Sequence, residues 1–233
     1  MADATTRSSR WRALAGAVGV QVHAARVPFL AISIVVIAIL GGVGALREIM
    51  PEARIPWRFD LDAERSFPAA ATAALLLGTA ALALALSGVA VVGRPAGILA
   101  AVLAFMAFDE LLVIHESIER STAIDWQLLY LPIMAIAAVS LASVVLRLRR
   151  SGWPTVALIL GAAAWAASQV LEATQWGLVT SMTSWVYDAM MISEEVGEMV
   201  GTLLLLVGVA VALDTFAHRA GRTDERASAI RRS

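Results

Sequence analysis

Apolar residues run along this chain in six long blocks, at about residues 27–46, 68–93, 95–117, 126–147, 153–180 and 184–213, separated by short polar stretches. A hydrocarbon layer of roughly 30 Å takes about 20 apolar residues to cross as helix, and each block is long enough. Pro28, Pro68, Pro95 and Pro154 stand at or near the start of a block, where a missing N–H costs a helix little. The pattern predicts an all-α integral membrane bundle of six transmembrane helices.

The polar stretches set an orientation. With the N-terminus inside, the cytoplasmic segments collect Arg7, Arg10, Arg12, Arg26, Arg94, Arg147, Arg149, Arg150, Arg219, Arg222, Arg226, Arg231 and Arg232. The outer segments hold only Arg47, Arg54, Arg58, Arg65 and Arg120, diluted by acids. Positive residues favour the cytoplasmic side, so both termini are expected there. This divides the chain into a cytoplasmic segment 1–26, a transmembrane domain 27–213 with an outer loop 47–67, and a basic cytoplasmic tail 214–233. Residues 11–25 alternate Trp, Leu and Val with Arg12, Gln21 and His23, as a short interfacial helix would. The loop 47–67 mixes charges with Ile55, Trp57, Phe59 and Phe67 and reads as a cap lying along the interface.

Composition agrees with a membrane class: 59% of residues are hydrophobic, 16% are charged and the mean hydropathy is +0.77. The net charge of −1 leaves no electrostatic footprint for nucleic acid, so the expected partner is the lipid bilayer, with a homo-oligomer or a partner in a membrane complex left open. Met1 to Arg12 is polar and lacks a short apolar run ending in a cleavage site, so no removable signal peptide is expected. There is no Cys, which excludes disulfides and thiolate metal sites and leaves carboxylate and imidazole as the strong metal ligands.

Those ligand types occur where a membrane helix should not carry them. Block three ends with Asp109, Glu110, His115, Glu116 and Glu119; as one continuous helix it would bring Asp109 and Glu116 to one face, with His115 at its border and Glu110 pointing elsewhere. Block five offers Gln169, Glu172 and Gln175 at steps of three, and block six offers Glu194, Glu195 and Glu198. Counted from the cytoplasmic boundary at about 1.5 Å per residue, the acids of all three blocks lie at heights of roughly 22 to 33 Å. Blocks one, two and four carry no ionisable residue in their cores and read as scaffold. The expectation is that blocks three, five and six are neighbours around one acidic layer.

A charge in hydrocarbon costs at least a few kcal/mol, so such groups turn inward and are paired, protonated or bound to a cation. Several close carboxylates cannot all stay ionised without one. This points to an outward-facing site of Asp109, His115, Glu116, Glu172, Glu194, Glu195 and Glu198 that binds one or two divalent metal ions, with Fe, Mn and Zn suited to the donor set. Arg120, Gln169 and Gln175 would orient or neutralise those acids. The Glu-x-x-His motifs of di-iron bundles are absent, so the donor set defines no particular enzyme. Two other readings use the same residues: a proton- or cation-translocating path, and an accessory subunit of a membrane complex. A path would need polar residues continuing inward, whereas 95–108, 153–167 and 199–213 are nearly all apolar. The bland reading also has its residues: Glu119 and Arg120 as the wet end of a helix, Trp165, Trp176 and Trp185 as core or interfacial belt, and His23 and His218 near the cytoplasmic face.

The motif Asp109-Glu110-x4-His115-Glu116, a lone glutamate, and then Glu194-Glu195-x-x-Glu198, together with the stretch from Phe59 to Pro68, resembles a group of bacterial multipass membrane proteins of uncharacterised function. The likeness spans residues 59 to about 205. It implies a multipass protein of the bacterial inner membrane, and it carries no activity.

Overall fold

The computed structural model describes residues 2–122, 124–178 and 184–230. Among the described residues seven α-helices follow one another: α1 (Ala2–Ile49), α2 (Phe67–Ser87), α3 (Arg94–Leu112), α4 (Ile114–Thr122), α5 (Trp126–Leu148), α6 (Trp153–Leu178) and α7 (Ser184–Ile230). Short 3-10 turns at Pro51–Ala53 and Trp57–Phe59 interrupt the segment between α1 and α2, and no strand occurs among the described residues. Among the described residues six helical stretches are long and apolar enough to cross a membrane: Val27–Ile49, Phe67–Ser87, Arg94–Leu112, Trp126–Leu148, Trp153–Gln175 and Trp185–His218. Large apolar side chains such as Val27, Ile32, Val139 and Val170 face outward.

Three helix starts follow the prolines. Ser66 caps α2 by accepting the Ala69 N–H at 3.2 Å, with Pro68 in the first turn. Pro95 stands in the first turn of α3, behind Gly93 at φ 54°, and Pro154 near the start of α6, behind Gly152 at φ 73°. Pro28 departs from the pattern. It lies inside α1, a single helix from Ala2 to Ile49, so residues 11–25 do not form a separate interfacial helix. The reason is tertiary: α1 and α7 continue together past the apolar blocks, and a Cβ on Gly19 would stand 3.0 Å from the Leu213 carbonyl oxygen.

Block two also ends earlier than its apolar run, at Ser87, because residues 88–93 turn toward α3. Arg147 donates to the Val91 and Val92 carbonyls and ties that turn to the end of α5. Block five was expected to reach residue 180; residues 179–183 lie outside the described residues.

The helices pack in two groups around α7. α6 and α1 lie along α7, α2 bridges α7 and α3, and α5 leans on α3 with only a light contact to α6. Backbone pairs α6 with α7 most closely: a Cβ on Gly161 would meet the Gly201 carbonyl oxygen at 2.8 Å, and one on Gly201 would meet the Gly161 oxygen at 3.0 Å. Small residues of this kind let membrane helices approach until their backbones touch. One apolar core runs through α2, α3, α5, α6 and α7 around Leu86, Leu148, Leu158 and Leu213, and a second joins α1, α2 and α7 to Leu61 of the intervening segment.

That segment is anchored rather than loosely laid. Leu61 is 2% exposed, Arg47 donates to Asp60 at 2.7 Å, and a Cβ on Gly44 would stand 2.9 Å from the Phe59 carbonyl oxygen. The segment therefore lies against α1 at one end of the bundle and leads Glu64 inward.

Candidate functional site

The expectation that block three is one helix through residue 117 fails at Val113. This residue takes the left-handed conformation, φ 58° and ψ 45°, and separates α3 from α4. A β-branched residue rarely adopts it, so the surroundings must hold it there. Asp109 supplies the hold. Its Oδ1 accepts the His115 backbone N–H at 2.9 Å, satisfying one of the orphan amides of the first turn of α4, and its Oδ2 lies 2.9 Å from His115 Nδ1. Tyr130 of α5 donates its hydroxyl to Oδ1 at 2.9 Å.

The break re-aims the side chains that follow it, and Glu110 stands ahead of it on α3. Glu110, expected to point elsewhere, lines the cavity described below and feels the charges of Glu64, His115, Asp109 and Glu172. Glu116 turns outward to an ion pair with Arg120 at 3.2 Å. The shared face of Asp109 and Glu116 held only for an unbroken helix.

A cavity of about 130 Å³ lies between α2, α3, α5, α6 and α7, at the end of the bundle where the 47–67 segment brings in Glu64. Its acidic lining is Glu64, Asp109, Glu110, Glu172, Glu194, Glu195 and Glu198; His115 is there too, and no Arg or Lys. Blocks three, five and six thus face one space, but α3 does not pack extensively on α6 or α7, as it does on α2 and α5. The cavity separates them.

Each acid has its own partners. His115 lies between two carboxylates, Asp109 at Nδ1 and Glu64 at Nε2, the latter at 3.3 Å. Burial opposes its positive charge, but the hydrogen bonds to Asp109 and Glu64 prevail and push its pKa up to about 10. Glu172 is held from α5: Trp126 Nε1 donates to Oε1 and Gln127 Nε2 to Oε2, each at 3.0 Å. Gln169 donates to Glu198 Oε1 at 2.8 Å, and Gln175 donates to Glu194. Glu195 and Glu198 face each other's charge as well as that of Glu110. Among the described residues, the buried acceptors Glu64 Oε2 and Gln169 Oε1 of this cavity have no hydrogen-bond partner.

A wider vestibule of about 530 Å³ adjoins the cavity, with Glu64, His115, Trp126, Glu172, Glu194 and Glu195 common to both. Asp62, Glu116, Glu119, Arg120, Gln175 and Tyr187 complete it. So all seven sequence-derived candidates line one of two joined spaces: Asp109, His115, Glu172, Glu194, Glu195 and Glu198 the inner one, and Glu116 the outer one alone. Among the described residues, no group of three or more His, Asp or Glu side chains is placed to hold a metal ion.

Block four was read as scaffold, yet it contributes Trp126, Gln127 and Tyr130. The signal was a run of uncharged hydrogen-bonding side chains at the start of an apolar helix, which attention to acids and histidine alone passes over. Glu64 was visible only as one acid among many in a loop; its role depends on the Gly44 and Leu61 contacts that fold the loop back. Of the three tryptophans assigned to core or belt, Trp165 lines the cavity, Trp185 is exposed, and the side chain of Trp176 lies outside the described residues.

A family model described as Domain of unknown function (DUF8692) matches residues 29–213. No curated protein and no solved structure matches the chain.

Proposed function

We propose that this chain, which belongs to the DUF8692 family, is a multipass membrane protein whose acid-lined cavity binds a divalent cation. One observation carries the reading: seven carboxylates line a space that holds one imidazole and no Arg or Lys. Like charges so close cannot all persist unless protons or cations are drawn in, and the cavity has room for an ion with a few waters. On this reading Glu110, Glu194, Glu195 and Glu198 face the ion. Asp109 and His115 shape the site instead, since both ring nitrogens of His115 already meet carboxylates. Because no three ligand side chains converge among the described residues, the ion keeps part of its water shell or draws the glutamates together as it binds.

Arg bias supports a cell-membrane orientation with the vestibule outside and both termini in the cytoplasm. The ion enters through the vestibule and meets an apolar floor of Leu76, Met106, Met134 and Ala137, beyond which the lining is almost wholly apolar. That floor weighs against a continuous proton or cation path, which needs polar lining beyond it.

Elemental analysis and Mn²⁺ or Zn²⁺ titration of the purified protein test the reading. Wild type should retain an ion and gain thermal stability from it, and Glu198→Gln should lose both. Equal stability with and without every divalent ion tried, in wild type and variant alike, would overturn it.

A further inference from the structure

Below the acid cavity, an apolar cleft of about 550 Å³ opens between α3, α5 and α6. Its walls are Leu99 and Leu103 on one side and Ala138, Ala142, Ala162 and Ala166 on the others. Alanine-lined helices ordinarily close upon each other, as α6 and α7 do at Gly161 and Gly201. Here α5 and α6 touch only lightly, and the gap stays open. Dense interiors do not leave apolar space of this size vacant, and in a bilayer the material at hand to fill it is a hydrocarbon chain.

The cleft is continuous with the acid cavity. Leu76, Met106, Met134, Ala137, Trp165 and Gln169 line both. At that junction Gln169 Oε1 is a buried acceptor without a partner, and the acids beyond it are acceptors too. A polar group arriving from the cleft thus meets acceptors and negative charge. An anionic head would be repelled; an ammonium, with three donors and a positive charge, matches both features.

We infer that the cleft seats the hydrocarbon tail of a single-chain membrane amphiphile whose amine head enters the acid cavity past Gln169. The amphiphile arrives sideways from the bilayer between α5 and α6, while the vestibule serves water and ions. This deepens the proposed function and rests on the cavity's negative charge in that reading, without requiring the metal.

Trp165, at the junction, supplies a reporter. A long-chain alkylamine brominated near mid-chain is titrated into the protein in neutral detergent, and tryptophan quenching is followed. Saturable quenching is expected, with most of the saturable part gone in Trp165→Phe. Ala162→Phe and Ala138→Phe, which fill the cleft from opposite walls, should each weaken the amine at least tenfold while leaving Mn²⁺ binding unchanged. The same chain with a sulfate head should also bind at least tenfold more weakly. Quenching that does not saturate, or that is equal in both cleft variants, overturns the inference while Mn²⁺ binding upholds the cation site. Saturable, cleft-dependent amine binding without any Mn²⁺ binding upholds the inference and overturns the divalent-cation reading.

Discussion

Asp109 accepts hydrogen bonds from both the backbone amide and the ring of His115, six residues further along. One carboxylate thereby ends α3, starts α4, and holds Val113 in the left-handed turn between them. The same side chain reaches Tyr130 on α5, so the break in the helix and the wall of the cavity are built together.

Removing that carboxylate should be costly. Asp109→Ala leaves the His115 ring, its amide and the Tyr130 hydroxyl without their acceptor, and breaking a buried charge pair in this way costs about 3–5 kcal/mol. Asp109→Asn keeps a carbonyl acceptor and should lose less. Thermal unfolding in detergent, followed by circular dichroism, ranks the two; equal stability of Asp109→Ala and wild type would refute the stapling role.

The charge on His115 makes stability depend on pH. Its pKa lies at about 10 in the folded protein, against about 6.5 for a free imidazole. A raised pKa means the contribution is complete below about pH 6.5 and is lost as pH climbs toward 10. Wild type should therefore lose stability relative to His115→Gln across that window, measured as the difference between their melting temperatures. A difference that stays constant from pH 6 to 10 would contradict the paired imidazolium.

Glu172 links α5 to α6 through Trp126 and Gln127. Gln127→Leu strips one oxygen of its donor, and an unsatisfied buried carboxylate oxygen costs roughly 1–3 kcal/mol. Trp126→Phe should cost a similar amount, and the two losses should not add, because both act on one carboxylate. A double-mutant cycle by thermal unfolding checks this.

The α6–α7 contact is backbone against backbone. A Cβ at Gly161 would stand 2.8 Å from the Gly201 oxygen and 2.9 Å from the Leu205 nitrogen, neither of which can swing aside. Gly161→Ala should destabilise by roughly 1–3 kcal/mol, as overpacking does. Gly42→Ala, where a Cβ meets nothing within 4 Å, should be neutral or stabilising. Melting temperatures of the two variants should move apart.

Orientation can be read by labelling. Glu52→Cys and Ser228→Cys, placed singly in this cysteine-free chain, should react with a membrane-impermeant thiol reagent from opposite sides of the membrane. Labelling from the same side would overturn the topology.

The six apolar blocks were legible in the sequence because hydropathy is local: a run of about 20 apolar residues has the same cost in water whatever its neighbours are. The acids of α3, α6 and α7 were legible for the same reason, each being expensive where it stands. Tertiary structure decided the rest. Helical periodicity alone could not show that Val113 turns left-handed, because the Asp109 acceptor that holds it must itself be held by Tyr130 of another helix. Through that break Glu116 went out, while Glu110, ahead of it on α3, lines the cavity beside Asp109. Glu64 reached His115 only because Gly44 and Leu61 fold the 47–67 segment onto α1, and Trp126 and Gln127 reached Glu172 across 46 and 45 residues of chain. Contacts over such separations follow from how the helices pack, which no single helix encodes.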